Sequence, residues 1–142
     1  ARTIVERLLP YFIDADYQCP TIRIVEEDGS GGIILNHFVN NQLAGMIYEI
    51  PLQNGEIALG LEGKEQFFQV RVFKFFSPKN QKSKISLVAD RREVTNTAIH
   101  SFIPEFSDEF FEEGSSDGEA RDRNYIVKAY VFGAYLDANV SL

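Results

Sequence analysis

The chain is short of the residues that most often carry recognisable chemistry or covalent cross-links. A single cysteine, Cys19, leaves no internal disulfide to form and fits a reducing compartment. The two histidines, His37 and His100, fall in different segments, and no His-x-x-x-His or paired-cysteine spacing suggests a metal centre. No apolar run approaches the roughly 20 residues needed to cross a bilayer. The first residues carry neither the long apolar core nor the small-residue cleavage site of a signal peptide. Positive charge is also scarce, with 14 Lys and Arg against 21 Asp and Glu and a formal net charge of -7. A broad basic face for nucleic acid or anionic lipid is therefore not expected. The expected setting is the cytoplasm, with no membrane partner and no direct nucleic-acid contact.

What remains is the composition of a folded domain. Of 142 residues, 44% are hydrophobic and 25% charged, which suits one core-forming domain over 1–142. The chain starts at Ala1 and closes on Asn139-Val140-Ser141-Leu142 directly after a strand-like run. Both ends are expected to be cut from a longer protein.

Ile4, Val5, Leu8, Leu9 and Phe12 recur at helical spacing, with Pro10 expected to bend or end the helix. Residues 21–26 alternate as a strand, Asp28-Gly29-Ser30-Gly31-Gly32 reads as a turn, and 33–35 as the returning strand. Three further strands are expected at 45–52, 55–61 and 66–76, with Asn54-Gly55 as a hairpin turn between the first two. The density of Phe67, Val70, Val72, Phe73, Phe75 and Phe76 makes the third a central strand. A polar loop over 77–83 leads to a strand at 84–89. Val94, Ala98, Ile99 and Phe102 suggest a helix over 93–102, ended or restarted by Pro104. Residues 124–136 read as one long strand. The fold class is therefore α/β (α+β): a mixed, mostly antiparallel sheet with helices packed on one face.

Candidate chemistry is sparse. The Gly-rich 28–32 segment lacks the Lys-Ser/Thr entry into a helix that a phosphate loop needs, and a strand follows it. Cys19, His37 and His100 carry no local nucleophile signature. Residues 105–122 are dense in Asp and Glu around Gly114 to Gly118, and a flexible acidic loop is expected there. Phe106, Phe110 and Phe111 lie among those acids, either as an amphipathic helix docking them on the sheet or as an interaction motif. Lys74, Lys79, Lys82 and Lys84 with Arg71 are expected around one hairpin tip. Lys79, Lys82 and Lys84 are the weak candidates for a phosphate contact.

Val88-Ala89-Asp90-Arg91-Arg92-Glu93-Val94, read as a strand entering a helix, resembles the Asn/Gly-Arg-x-Val segment in the second domain of GHKL ATPases. MutL mismatch-repair proteins carry "Val-Asn-Gly-Arg-x-Val" there. Bacterial ATP-binding proteins distantly similar to the ninety-kilodalton heat-shock chaperone carry the closer "Ala-Asn-Asn-Arg-x-Val". On that match Arg92 takes the place of the family arginine, while Asp90-Arg91 departs from the usual pair. The segment Val131 to Val140 looks like the family's strand ending in "Tyr-Leu-Asp-x-x-Val-Asn", so that Tyr135, Leu136, Asp137 and Val140 fall on the motif.

The resemblance implies a fold like the second domain of ribosomal protein S-five, following an N-terminal ATPase domain of the same chain. It implies a transducer that passes nucleotide state onward, in a parent protein that is an ATPase and can be a homodimer. ATP and Mg would belong to the preceding domain, and the basic residue offered to the γ-phosphate would lie beyond Leu142. No catalytic, cofactor-binding or metal residue is assigned to the chain itself, which is not expected to hydrolyse ATP alone. Two other readings stand beside this one. One is a protein-interaction module using the acidic Phe-rich segment and the sheet edges; the other is a small hydrolase with a tertiary His/Cys or carboxylate site.

Overall fold

The computed structural model describes residues 2–13, 21–25, 27–29, 32–34, 47–76, 78, 80–112 and 123–139. Helix α1 spans Arg2–Ile13 and is followed by a small hairpin of β1, Arg23–Ile24, and β2, Ile33–Ile34. The main body is a seven-stranded sheet of β3 (Ile47–Ile50), β4 (Glu56–Leu61), β5 (Lys64–Phe76), β6 (Lys84–Ala89), β7 (Arg92–Ala98), β8 (Phe110–Glu112) and β9 (Arg123–Phe132). Helix α2, Ala134–Asn139, closes the described chain. The mixed, mostly antiparallel sheet read from the sequence is thus present.

The strand order is β3-β5-β9-β6-β7, with β4 also on β5 and β8 also on β9. The long aromatic strand β5 is central, as its apolar density suggests. The Asn54-Gly55 hairpin does not form. β3 and β4 do not pair with each other; both lie antiparallel along the same side of β5, at Val72 to Phe75 and at Lys64 to Gln69 respectively. Residues 51–54 are an excursion within one interrupted edge strand. Asn54 is used differently, its side-chain carbonyl accepting the Glu56 N–H at 3.1 Å. The turn itself is Glu62-Gly63, with φ of 53° and 76°, the left-handed pair that suits a two-residue hairpin.

The helix expected over 93–102 is also absent. Asp90 and Arg91 adopt φ of 47° and 63°, turning the chain straight back so that β7 pairs antiparallel with β6. Val94, Thr95 and Thr97 are β-branched and suit the strand. Two 3-10 turns follow, Ile99–Ser101 and Pro104–Ser107, the second with proline at its start. The strand expected over 124–136 stops at Phe132, and residues 134–139 coil into α2.

β9 is the second central strand, antiparallel to β5 and parallel to β6. On its β6 side it is paired to β8 at 123–125 and to β6 from Lys128 onward. The gap is bridged by buried Ser83, whose hydroxyl accepts the Val127 N–H at 3.0 Å and whose C=O accepts the Ile99 N–H at 3.1 Å. Phe73, Phe75, Ile126, Tyr130 and Val88 form one core with Leu9 of α1, and Ile13 packs at its margin. Each fully buried large side chain there contributes about 1.5–3 kcal/mol. Pro10 sits inside α1 and is fully buried, so the helix continues through it to Ile13. Burial of Leu9 and Pro10 outweighs the missing backbone bond.

Phe68, Ala89 and Leu136 of α2 form a second cluster. Phe68 and Phe73 are an odd number of residues apart on one strand, so the two clusters lie on opposite faces of the sheet. α1 and α2 therefore cover different faces, and the expectation of helices on one face gives way to one on each. Within 105–122, residues 110–112 are a strand rather than loop, and Phe110 stacks on Tyr125 at 5.6 Å and meets Phe106 at 5.1 Å. Both rings are docked, but from a 3-10 turn and a strand rather than from the expected amphipathic helix. The Gly114 to Gly118 stretch lies outside the described residues.

Candidate functional site

The site is built where β9 runs out, beside the turn of the β6–β7 hairpin. Gly133 marks the end of β9. A Cβ there would lie 2.8 Å from the Phe68 ring and 3.0 Å from the Phe67 carbonyl oxygen, so only glycine lets the backbone pass so close. The Gly133 C=O accepts the N–H groups of both Leu136 (3.1 Å) and Asp137 (3.2 Å), which starts α2. Leu136 is then buried against Phe68 and Ala89, and the Tyr135 ring meets Phe68 edge-on at 6.3 Å.

Asp137 points back to the hairpin. Its Oδ1 accepts the backbone N–H of Asp90 at 2.9 Å. That N–H belongs to the left-handed turn and faces away from the β6–β7 ladder, so a carboxylate is a fitting acceptor for it. Arg92, at the other end of the turn, is exposed and donates through Nε to the Tyr11 hydroxyl of α1 at 3.4 Å. The Tyr11 hydroxyl, and more weakly the Asp90 charge, raise the Arg92 pKa further above its already high ordinary value. Its charge is thus constant across physiological pH.

An open cavity of about 620 Å3 lies at this end of the sheet, with Phe68, Arg71, Asp90, Arg91, Gly133 and Asp137 among its lining residues. Arg71 is committed: Nε and Nη2 donate to the two carboxylate oxygens of Glu49, each at 2.7 Å, while Nη1 donates to the Ile13 carbonyl at the end of α1. This fork holds the Glu49 carboxyl below its usual pKa, against a smaller desolvation effect in the opposite direction. The cavity therefore mixes both charge signs, and its Arg71 guanidinium is already bound by carboxylate.

The sequence candidates separate into two groups. Arg92, Tyr135, Leu136 and Asp137 come together at this end of the sheet, although on a strand and a helix rather than on a helix and a strand. Val140 and Lys79 lie outside the described residues. Lys82 and Lys84 sit at the opposite end of β6, and the Lys82 ammonium donates to the Ser107 carbonyl at 2.8 Å. Lys74 is paired with Glu112 at 3.3 Å. The hairpin expected to carry these lysines does not form, because β9 lies between β5 and β6. Cys19 and His37 lie outside the described residues, and His100 is in the first 3-10 turn. Among the described residues no group of His, Cys, Asp and Glu is placed to hold a metal ion, and no helix is long and apolar enough to cross a membrane. Sequence reading missed Tyr11, Gly133 and Arg71 as parts of this end; of the three, only Gly133 carried a signal, a lone glycine after a strand pattern.

No protein-family model matches the chain, and searches of curated proteins and of solved structures return no match.

Proposed function

We propose that the chain is a transducer-like middle domain of a GHKL-type ATP-binding protein, coupling ATP state in a preceding domain to the rest of the protein. The observation that carries this reading is the contact between Asp90 and Asp137. The two segments on which the resemblance rests are far apart in sequence, and they meet through this hydrogen bond, just beyond the parallel pairing of β6 with β9 that ends at Leu87 and Val131. A nucleotide-driven push on either segment would reach the other through one bond and one strand pair. The element types differ from those the resemblance implies, with a strand after Arg92 and a helix at 134–139, so the reading rests on the meeting of the segments.

In this reading the domain supplies leverage and the preceding domain supplies ATP and Mg. The Gly-rich 28–32 segment links β1 to β2 in a hairpin rather than opening a helix, which agrees with a phosphate site elsewhere. The basic residue serving the γ-phosphate would follow Leu142. A cation that acts on charge developing in the transition state affects turnover more than ground-state affinity.

The test uses the parent protein. Replacing the first Lys or Arg after Leu142 should lower ATP turnover by about tenfold or more while the nucleotide Kd stays within about twofold. Asp137→Ala should lower turnover in the same way, and the chain of 142 residues alone should give no saturable heat with millimolar ATP. Unchanged turnover in both variants overturns the reading and leaves an interaction module. That alternative draws on Phe102 and Phe111, which are 76% and 74% exposed beside the acidic segment.

A further inference from the structure

The two edges of the main sheet are built differently. On one edge β7 presents Thr95, Asn96 and Thr97 to solvent, and its pairing with β6 is broken by a register shift at Leu87/Val88. Polar side chains and a bulge are common devices against strand addition. The β4 edge has no bulge and a single polar side chain, Glu56. Between Glu56 and Leu61 it carries one charge and no lysine or proline. Ile57 is 46% and Leu59 50% exposed, and Phe67, opposite Ala58 on β5, is 56% exposed.

The hydrogen-bonding groups of this edge can be assigned from the register. The Val70 N–H donates to the Gly55 C=O at 2.6 Å, and the two-residue turn closes on Leu61 and Lys64. Residues 55, 57, 59 and 61 thus direct their backbone groups toward β5, and the alternation of an antiparallel ladder turns those of Glu56, Ala58 and Gly60 outward. Among the described residues no strand pairs with that side. The Asn54 side chain accepts the Glu56 N–H, so the open ladder runs from the Glu56 C=O to Gly60.

We infer that β4 is the contact edge of a two-fold dimer, its partner being a second copy of this chain added antiparallel with Ala58 on the axis. In that register Ala58 exchanges both backbone hydrogen bonds with the Ala58 of the second copy, and the Gly60 N–H of each meets the Glu56 C=O of the other. Ile57 stands opposite Leu59 twice, on the face that continues onto Leu61 and Phe68. On the other face Ala58 and Gly60 leave room for the two exposed Phe67 rings to approach. Glu56 stands opposite Gly60, so no like charges face each other. Moving the axis one residue to Leu59 would set Glu56 against Glu62, a destabilising pair, and moving it to Ile57 would lose the paired Ile57–Leu59 contacts. Self-complementarity of this kind is what a two-fold interface requires of a single patch.

The experiment measures the mass of the 142-residue chain by sedimentation over a concentration series, with two edge variants. The unmodified chain should approach twice the single-chain mass as concentration rises. Ala58→Pro removes an outward N–H and leaves the bonds to β5 in place; proline is tolerated on an edge strand in that orientation. It should weaken association by about tenfold or more, equal to about 1.4 kcal/mol, while the far-ultraviolet circular dichroism stays unchanged. Leu59→Lys should do the same through the apolar contact. In a Cys19→Ser background, Ala58→Cys should oxidise to a covalent dimer, since a bonded pair of opposite residues is about 5.5 Å apart between Cα atoms and within disulfide reach. Thr97→Cys on β7 should not. A single-chain mass at every concentration, or a dimer that neither edge variant weakens, would overturn the inference.

Discussion

The backbone N–H of Asp90 donates to the carboxylate of Asp137 at 2.9 Å, joining a hairpin turn to the first turn of a helix across 47 residues of sequence. The bond is exposed, and it ties the β6–β7 turn to α2. Asp137→Ala should lower stability by about 1 kcal/mol, as expected for a hydrogen bond partly replaced by water. Asp137→Asn, which keeps an oxygen acceptor, should recover most of that loss. Urea unfolding of both variants checks this, and equal losses would mean that charge rather than the bond matters.

Gly133 gives a larger effect. Gly133→Ala puts a methyl group 2.8 Å from the Phe68 ring, which is itself buried, and 3.0 Å from a backbone oxygen. Neither neighbour is a flexible side-chain end, so the strand must move. The expected cost is about 1–3 kcal/mol. Gly60→Ala, where a methyl group meets nothing, should change folding stability by less than about 0.5 kcal/mol.

The Glu49 carboxyl titrates below its ordinary value because Arg71 hydrogen-bonds to it. A carboxyl lowered in the folded state stabilises the fold above its unfolded pKa and stops doing so as pH falls through its folded pKa. Glu49→Gln should therefore cost about 0.2–1 kcal/mol at neutral pH, the range for a solvent-screened pair. The two stability curves should converge as the pH drops below about 4. Arg71→Ala should cost more at neutral pH and keep much of its cost in acid, because Arg71 also holds the Ile13 carbonyl and lies over the Phe73 ring at 5.5 Å.

At the tip of the β4–β5 hairpin, Glu62 occupies a left-handed conformation with φ of 53° next to Gly63. Asparagine tolerates that conformation better than glutamate. Glu62→Asn should stabilise the chain by about 0.5–1 kcal/mol, read as a higher urea midpoint with an unchanged slope.

Much of the sheet was legible where side-chain pattern and packing agree. Strand 84–89 and the centrality of the 66–76 run follow from apolar density that only a buried strand can use. The turns were harder. Asn54-Gly55 is a strong hairpin signal, but Asn54 spends its side chain on the Glu56 N–H, and Glu62-Gly63 makes the turn instead. Val94, Ala98, Ile99 and Phe102 fit a helical spacing; the left-handed pair Asp90-Arg91 instead lays residues 92–98 along β6, a tertiary choice that local spacing does not register, and Ile99 begins a 3-10 turn. The contact of Asp90 with Asp137 depends on β9 lying beside β6, a matter of topology rather than of motif.

The position of β9 also sets an order of events. The β4–β5 and β6–β7 hairpins close over a few residues each and can form early. Among the described residues, β9 is the strand that joins them, and its partners Val72 and Ala129 are separated by more than fifty residues. Until Arg123–Phe132 arrives there are two half-sheets, each with an unfilled inner edge, and the Phe73 and Phe75 face is incomplete. Insertion of a late strand between two early ones is a high-contact-order step. Folding speed, and the time for which those inner edges are open to wrong partners, is therefore governed by a ten-residue strand near the end of the described chain.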